Sequence, residues 1–437
     1  MRTSTIYHND PPSIVPASQH YTVRVNGQPV FVYSCEVACY ALLSGEGAMQ
    51  VEVEARRSFS KVVVRPLSSE TQIAVEGSTV QLDVAAPAKL SVEFDHELRR
   101  PLFILINPPE KEPRPDPLDP MVHYYAAGSA YEIGLLRLKK NEILYIEAGA
   151  VVYGVVEAEE ADHLTIRGRG ILDGSKWSRE GELREQRLMK LTDCKQVTVE
   201  GVTLVDGPCW HLVPVGCKGV DISNLNIITF VGGGDGIDLV ACQDVTVHNC
   251  FIRSKDDCIA IKAYQGSEAS QRSVHNIQVT GCVLWNAEWG NALEIGYETT
   301  CEEMTNIVFE DCDIIHCEFE GYQSGGTFTI HNGDRASIRN VRYENIRVED
   351  SQEKLIDMKV LFAQYSRDEQ RGQIENIVFR NIQVVDGPFP VSIIRGFDGD
   401  HMIHNVSIEH LIVHGNKISS ANAAKTVIEL SKNVRFQ

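Results

Sequence analysis

The sequence predicts an all-β protein: an N-terminal antiparallel β-sandwich over residues 1–106, then a right-handed parallel β-helix over residues 121–437. Three observations predict it. Residues 20–106 alternate apolar and polar positions in short runs, "YTVRVNGQPVFVY", "MQVEVEARR", "KVVVRPL", "STVQLDV" and "KLSVEF", with turn residues between them. A period of two is the pattern of half-buried strands. The stretch "NPPEKEPRPDPLDP", residues 107–120, is rich in proline and charge and reads as an extended, solvated connector. Beyond it one short pattern keeps returning, which marks a solenoid.

The returning segments are "LTIRGRGILDG", "VTVEGVTLV", "VDISNLNII", "VTVHNCFI", "IQVTGCVL", "IVFEDCDII", "VRYENIRV", "IVFRNIQVV" and "VSIEHLIV". Their second apolar position gives a register of Ile166, Val199, Ile222, Val247, Val279, Phe309, Tyr343, Phe379 and Ile408, at intervals of 23 to 36 residues. Two residues past each mark stand Gly168, Gly201, Asn224, Asn249, Gly281, Asp311, Asn345, Asn381 and His410. All but His410 are residues that tolerate a left-handed backbone at a tight corner. One position further, Cys250, Cys282 and Cys312 fall on successive rungs and read as one interior stack. Helical periodicity is almost absent, which excludes ankyrin and tetratricopeptide units, and the leucine-asparagine signature of leucine-rich repeats is missing. The expectation is nine or ten coils, with "YEIGLLRLKKNEILYIEAGAVVYG" as the first, capping the open N-terminal end.

Composition narrows the functional classes. No apolar run reaches the roughly 18 residues of a membrane span. The opening "MRTSTIYHNDPPSIVPASQ" lacks the apolar core of a secretory signal, so a cytoplasmic location is expected. A net charge of −19 speaks against nucleic acid or an anionic membrane surface as a partner. The twelve cysteines show no zinc spacing, and neither metal nor cofactor is expected. The sandwich gathers no chemistry and reads as a supporting or oligosaccharide-contacting module.

Chemistry gathers instead in "GGGDGIDLVACQDVTVHNCFIRSKDDCIAIK", Gly232 to Lys262, where Asp235, Asp256 and Asp257 interrupt apolar strands. If Ile237, Ile259, Leu293 and Phe328 all point inward, then Asp235, Asp257 and Asn291 form one column on successive coils. Stacked strands lie about 4.7–4.9 Å apart, so Asp235 and Asp257 are near neighbours, with Asp256 beside them. Carboxylates so placed repel, and at least one should keep its proton to higher pH than a free side chain. Single aspartates cap solenoid corners, but three converging without a matching cluster of cations point to function. A calcium site is the rival reading. It is the weaker one, because the next coil offers Asn291 and no further acid in this column.

These segments, with the upstream "GPCWHLVPVGCKGVDISNLNI", resemble the polygalacturonase family, glycoside hydrolase family 28. There an Asn-Thr-Asp motif precedes an Asp-Asp pair by the same 21 residues that separate Asp235 from Asp256. The sandwich-then-helix layout and "HYYAAGSAYEIGLLRL" are similar to the dextranase family, family 49. The resemblance implies hydrolysis of glycosidic bonds with Asp256 as general acid, Asp235 and Asp257 sharing the water, and inversion at the anomeric carbon. Two departures bear on substrate. Where polygalacturonases carry Gly-His-Gly, this chain reads "GNALEIG", with Asn291 in place of the histidine. Where they carry the Arg-Ile-Lys that binds the substrate carboxylate, it reads "TFTIHNG", with Thr329 and His331 at the cationic positions. Loss of that charged fork shifts the expected substrate toward neutral or weakly charged oligo- or polysaccharides.

A polygalacturonase-type uronide hydrolase, a non-catalytic carbohydrate-binding β-helix and a calcium-dependent lyase with a lysine or arginine base stand as alternatives. Around the aspartates, Lys262 and His331 share the next outward column, and Asp238, Glu294 and Thr329 share the one between. These serve either sugar hydroxyls or solvation alone. Trp285, Trp289 and Tyr297 flank the insertion at Asn291, for stacking on sugar faces or for packing.

Overall fold

The computed structural model describes residues 5–181, 183, 186–318 and 325–437. In the first domain one long strand, Cys39–Ala55, belongs to both layers of the sandwich. Its first half pairs with Val32–Ser34 and Leu102–Asn107, its second half with Tyr21–Val25 and Thr79–Ala86. Between them Val23, Val53, Leu82, Val92, Phe94 and Ile104 form the core. One pairing departs from the antiparallel expectation: Leu102–Asn107 runs parallel to the start of the long strand. A parallel pair needs a long crossover, and residues 56–101, with strands of their own, supply one.

The second domain is a right-handed parallel β-helix. A sheet of twelve parallel strands runs from Val122–Tyr125 to Ser431–Phe436, and a second sheet carries the remaining strands of each coil. All nine register marks pair in succession, from Ile166 on Val199 through to Phe379 on Ile408. Phe309, Tyr343 and Phe379 accordingly stack ring on ring, with centroids 4.9 and 4.8 Å apart, which is the spacing of stacked strands. The corner residues all have positive φ, His410 included at 56°. Histidine is, with asparagine and aspartate, among the non-glycine residues enriched in that conformation. The first expected coil is present at Ile143–Ile146, and strands at Val122–Tyr125 and Ser431–Phe436 extend the solenoid past the nine or ten coils expected, because their sequences do not carry the repeat. A second left-handed ladder runs through Asn276, Asn306, Asn340, Asn376, Asn405 and Asn433. Amide hydrogen bonds join its neighbouring rungs, as from Asn405 Nδ2 to Asn376 Oδ1 at 3.0 Å, except that Asn340 Nδ2 donates to Thr305 Oγ1 instead. Cys250, Cys282 and Cys312 lie wholly inside, and every described cysteine is a free thiol.

The connector between domains is exposed at its centre but not loose. Glu110 takes hydrogen bonds from Tyr145 Oη and Arg167 Nη1, at 3.0 and 3.1 Å, and Arg167 Nη2 also donates to the Pro113 carbonyl. Phe103, Leu105 and Tyr40 of the sandwich pack onto Ile171, Phe251 and Trp285 of the β-helix. Trp285 is therefore interface packing, with no exposed surface left for a sugar. Next to it a charged network crosses the interface. His316 lies 3.0 Å from both Glu93 and Asp350, while Arg65 reaches Glu93 at 3.3 Å, Glu349 at 2.6 Å and Asp386 at 3.0 Å.

Candidate active site

The column inferred for the aspartates is present. Ile237 pairs with Ile259, Ile259 with Leu293 and Leu293 with Phe328, which sets Asp235, Asp257, Asn291 and Gly326 on successive coils. The same register extends in both directions. Met189 pairs with Leu212 and Leu212 with Ile237, so Arg187 and Trp210 precede Asp235, while Lys354 pairs with Gly326 at the far end. Carrying the alignment one coil back would have found Trp210 from sequence.

Asp235 and Asp257 are nearly buried, 2% and 7% exposed, whereas Asp256 is half-exposed. Asn291 Nδ2 donates to Asp257 Oδ1 at 2.9 Å and so fixes the orientation of that carboxylate. The Asp256 backbone is clamped, its carbonyl accepting from Ser254 Oγ and Asn286 Nδ2, both at 2.8 Å. Gly290 lies over the pair at φ 67°, and a Cβ there would stand 2.4 Å from Asp256 Oδ1 and 2.7 Å from Asp257 Oδ1. Only glycine fits. Behind Asp235 sits His211, which sequence reading passed over. Burial pulls its pKa down to about 4, so the ring is neutral. Its Nδ1–H donates to the Asp235 carbonyl at 2.9 Å, and its Nε2 accepts from Gly207 N–H at 2.9 Å.

Lys262 is 4% exposed and turned into the carboxylates. Its Nζ lies 2.8 Å from Asp235 Oδ2, 2.9 Å from Asp238 Oδ1 and 3.6 Å from Asp257 Oδ2, with the Trp210 ring 4.2 Å away. This corrects the reading of Lys262 as a ligand for sugar hydroxyls. The chain itself supplies the positive charge that a calcium ion would bring. Asp238, Glu294 and His331 are also corrected as direct sugar contacts, since all three have no exposed surface. His331 is bound at Nδ1 by Glu294, 3.1 Å, and at Nε2 faces Asp357 at 3.3 Å. Asp357 in turn meets Lys359 at 2.8 Å and Lys354 at 3.4 Å. Burial alone would deprotonate His331, but Glu294 and Asp357 outweigh it and raise its pKa to about 9. The half-buried Tyr297 ring stacks on this imidazolium at 4.3 Å and 10°, and forms a lid over it. Thr329 is buried too, its hydroxyl spent on the Leu293 carbonyl at 3.0 Å. Trp289 stays half-buried at the rim, beside Lys255. The sandwich reaches this rim as well, through Arg99 on Glu288.

Electrostatically the site is short of cations. Burial pushes the Asp235 carboxyl well above its ordinary range, Asp238 pushes it further, and Lys262 only partly offsets them. Asp257 is raised for the same first reason, with Lys262 opposing and Asp256 and Glu294 adding to the shift. Lys262 would lose its proton to burial, but Asp235, Asp238 and Asp257 outweigh that and hold it as an ammonium. Such a cluster titrates as a unit. It can hold one carboxyl protonated beside another that is ionised, the pairing that acid–base chemistry on a glycosidic bond requires.

Comparison with known proteins gives the family and the fold. Rhamnogalacturonase A of Aspergillus niger is 25% identical over 210 residues, 48% of this chain and 43% of that protein. The chain spans about half the length of the curated relatives it matches. Two solved structures share the fold. Dex49A from Penicillium minioluteum superposes with a TM-score of 0.70 at 15% identity, covering 97% of this chain and 96% of its own. The family 28 exopolygalacturonase of Yersinia enterocolitica gives 0.56 at 13%, covering 100% and 94%. The description "Glycosyl hydrolases family 28" matches residues 145–427, most of the solenoid and every aspartate of the site; the chain belongs to that family.

Proposed function

We propose that this chain is an inverting glycoside hydrolase acting on neutral or weakly charged glycans. One observation carries the reading: Asp235 and Asp257 reach the same ammonium from adjacent coils, while Asp256, the most open of the three, stands beside them. Asp256 gives its proton to the leaving oxygen. A water held by Asp235 and Asp257 attacks the anomeric carbon from the other face and loses its proton to that pair. Their raised proton affinity makes them stronger bases once ionised. The preference for uncharged sugars rests on Thr329 and His331. Neither offers an open cation, since Thr329 is buried and the charge on His331 is consumed by Glu294 and Asp357.

A second reading, hydrolysis of galacturonate-containing chains, is favoured by the names of the relatives and by Lys354 and Lys359 on the following coil. Incubation with aryl glycosides, neutral oligosaccharides and polygalacturonate, with products read by mass, separates the two. Cleavage of a neutral glycan in preference to polygalacturonate supports the proposal. Efficient cleavage of polygalacturonate alone promotes the second reading, and binding without any cleavage returns the chain to a carbohydrate-binding β-helix.

A further inference from the structure

We infer that Lys262 is a positioning residue that sets the charge of the Asp235/Asp257 pair and does not bind substrate. The inference rests on the reading of that pair as the base. Lys262 leaves the strand Ile259–Ala263 and points back across the coil boundary, so that one ammonium meets Asp235 and Asp238 of the preceding coil and Asp257 of its own. The aliphatic stem and head are buried, and the Trp210 ring covers the ammonium on another side. Glu298 acts on it from the next coil, and Tyr264 lies close enough to feel both Lys262 and Asp238. Beyond Trp210, 4.3 Å from its ring centroid, is the guanidinium of Arg187. No other cation of the described residues forms an ion pair with Asp235, Asp238 or Asp257.

Asp238 gives the arrangement its balance. It is wholly buried; its Oδ1 lies 2.9 Å from the ammonium, and neither oxygen accepts a well-directed hydrogen bond among the described residues. Asp238 therefore competes with Asp235 for the same charge. Lys262 favours the ionised form of the base and Asp238 disfavours it, so deleting each should move the base in opposite directions. A residue that merely filled space, or merely touched sugar, would produce no such opposed pair.

The test is the pH dependence of kcat/KM for the wild type, Lys262→Met, Lys262→Arg and Asp238→Asn. Without the ammonium the base holds its proton more tightly, so the acidic limb of Lys262→Met moves to higher pH, by about one unit or more, and activity below it falls at least about tenfold. Lys262→Arg keeps the charge and keeps most of the limb. Asp238→Asn moves it to lower pH. If Lys262→Met does not fold, the isosteric Asp238→Asn change decides the matter alone. Unmoved limbs with a raised KM in Lys262→Met would return the lysine to substrate binding and overturn the inference. Asp256→Asn and Asp257→Asn are measured alongside. If both keep full activity, the assignment of acid and base has failed, whatever Lys262 does.

Discussion

Two buried charged clusters, one at the candidate active site and one between the domains, set carboxylates against cations in different proportion and to different effect. At the interface each central carboxylate has a directed cationic partner: Glu93 lies between Arg65 and His316, and Asp350 meets His316. Burial pushes the Glu93 and Asp350 carboxyls up, but these partners outweigh it and both fall below their ordinary range; only Glu349, deepest in the network, is left raised by burial, to about 7, despite Arg65. At the site Asp235, Asp238 and Asp257 divide one ammonium, and Asp235 and Asp257 end above theirs. A cluster with matched partners holds two domains together. A cluster left short of cations stores proton affinity, which is what a base and an acid need.

The comparison can be broken first at the acid. Asp256→Asn should leave folding intact and cut turnover on unactivated substrates by about 10²–10⁴-fold, with a smaller loss on activated aryl glycosides. Steady-state rates on the two substrate types check it, and equal losses would move the acid role elsewhere.

Next comes the interface. Glu93→Gln removes the carboxylate that both Arg65 and His316 face and should cost about 3–5 kcal/mol. Denaturant unfolding measures the loss, and the pH profile of activity should stay where it is. Slightly smaller is the pH dependence of stability itself. His316, raised to about 9 against burial by Glu93 and Asp350, and His331, raised to about 9 by Glu294 and Asp357, both gain stability by holding a proton. That contribution is complete below about pH 6.5, where the unfolded histidines are also charged, and fades as pH rises through 9. Each is worth on the order of 3 kcal/mol. Melting temperature recorded from pH 6 to 10 should fall, and should fall less steeply in His316→Gln. The smallest effect has the opposite sign. Asp238→Asn removes a carboxylate from the cation-poor cluster and should raise stability by about 1 kcal/mol at neutral pH. A loss of stability there would mean that the two clusters do not differ as described.

Much of this was legible in the chain because a solenoid repeats its geometry. One register, read from Ile166 to Ile408, fixes nine coils, and the same alignment puts Asp235, Asp257 and Asn291 in a column. What stayed hidden depends on depth and direction, which a strand pattern does not carry. Column position alone cannot tell an open His331 from one sealed beneath Tyr297. Nor can it tell a lysine aimed at solvent from Lys262 aimed at three aspartates. Trp285 was ambiguous for another reason, since the sandwich that buries it lies far away in sequence, at Phe103. His211 acts through backbone groups, and no side-chain pattern marks such a role.

The central claim, that Asp235 and Asp257 deliver a water while Asp256 protonates the leaving oxygen, has a stereochemical signature. Carboxyl groups about 6.5–9.5 Å apart leave room for that water and give inversion, whereas about 5–5.5 Å accompanies a covalent, retaining route. Proton NMR of the first minutes of reaction on a cleaved glycan reads the outcome before mutarotation blurs it. The account predicts a first-formed product whose anomeric configuration is opposite to that of the bond cleaved, with no glycosyl-enzyme trapped by a fluorosugar. A first-formed product of unchanged configuration would contradict it.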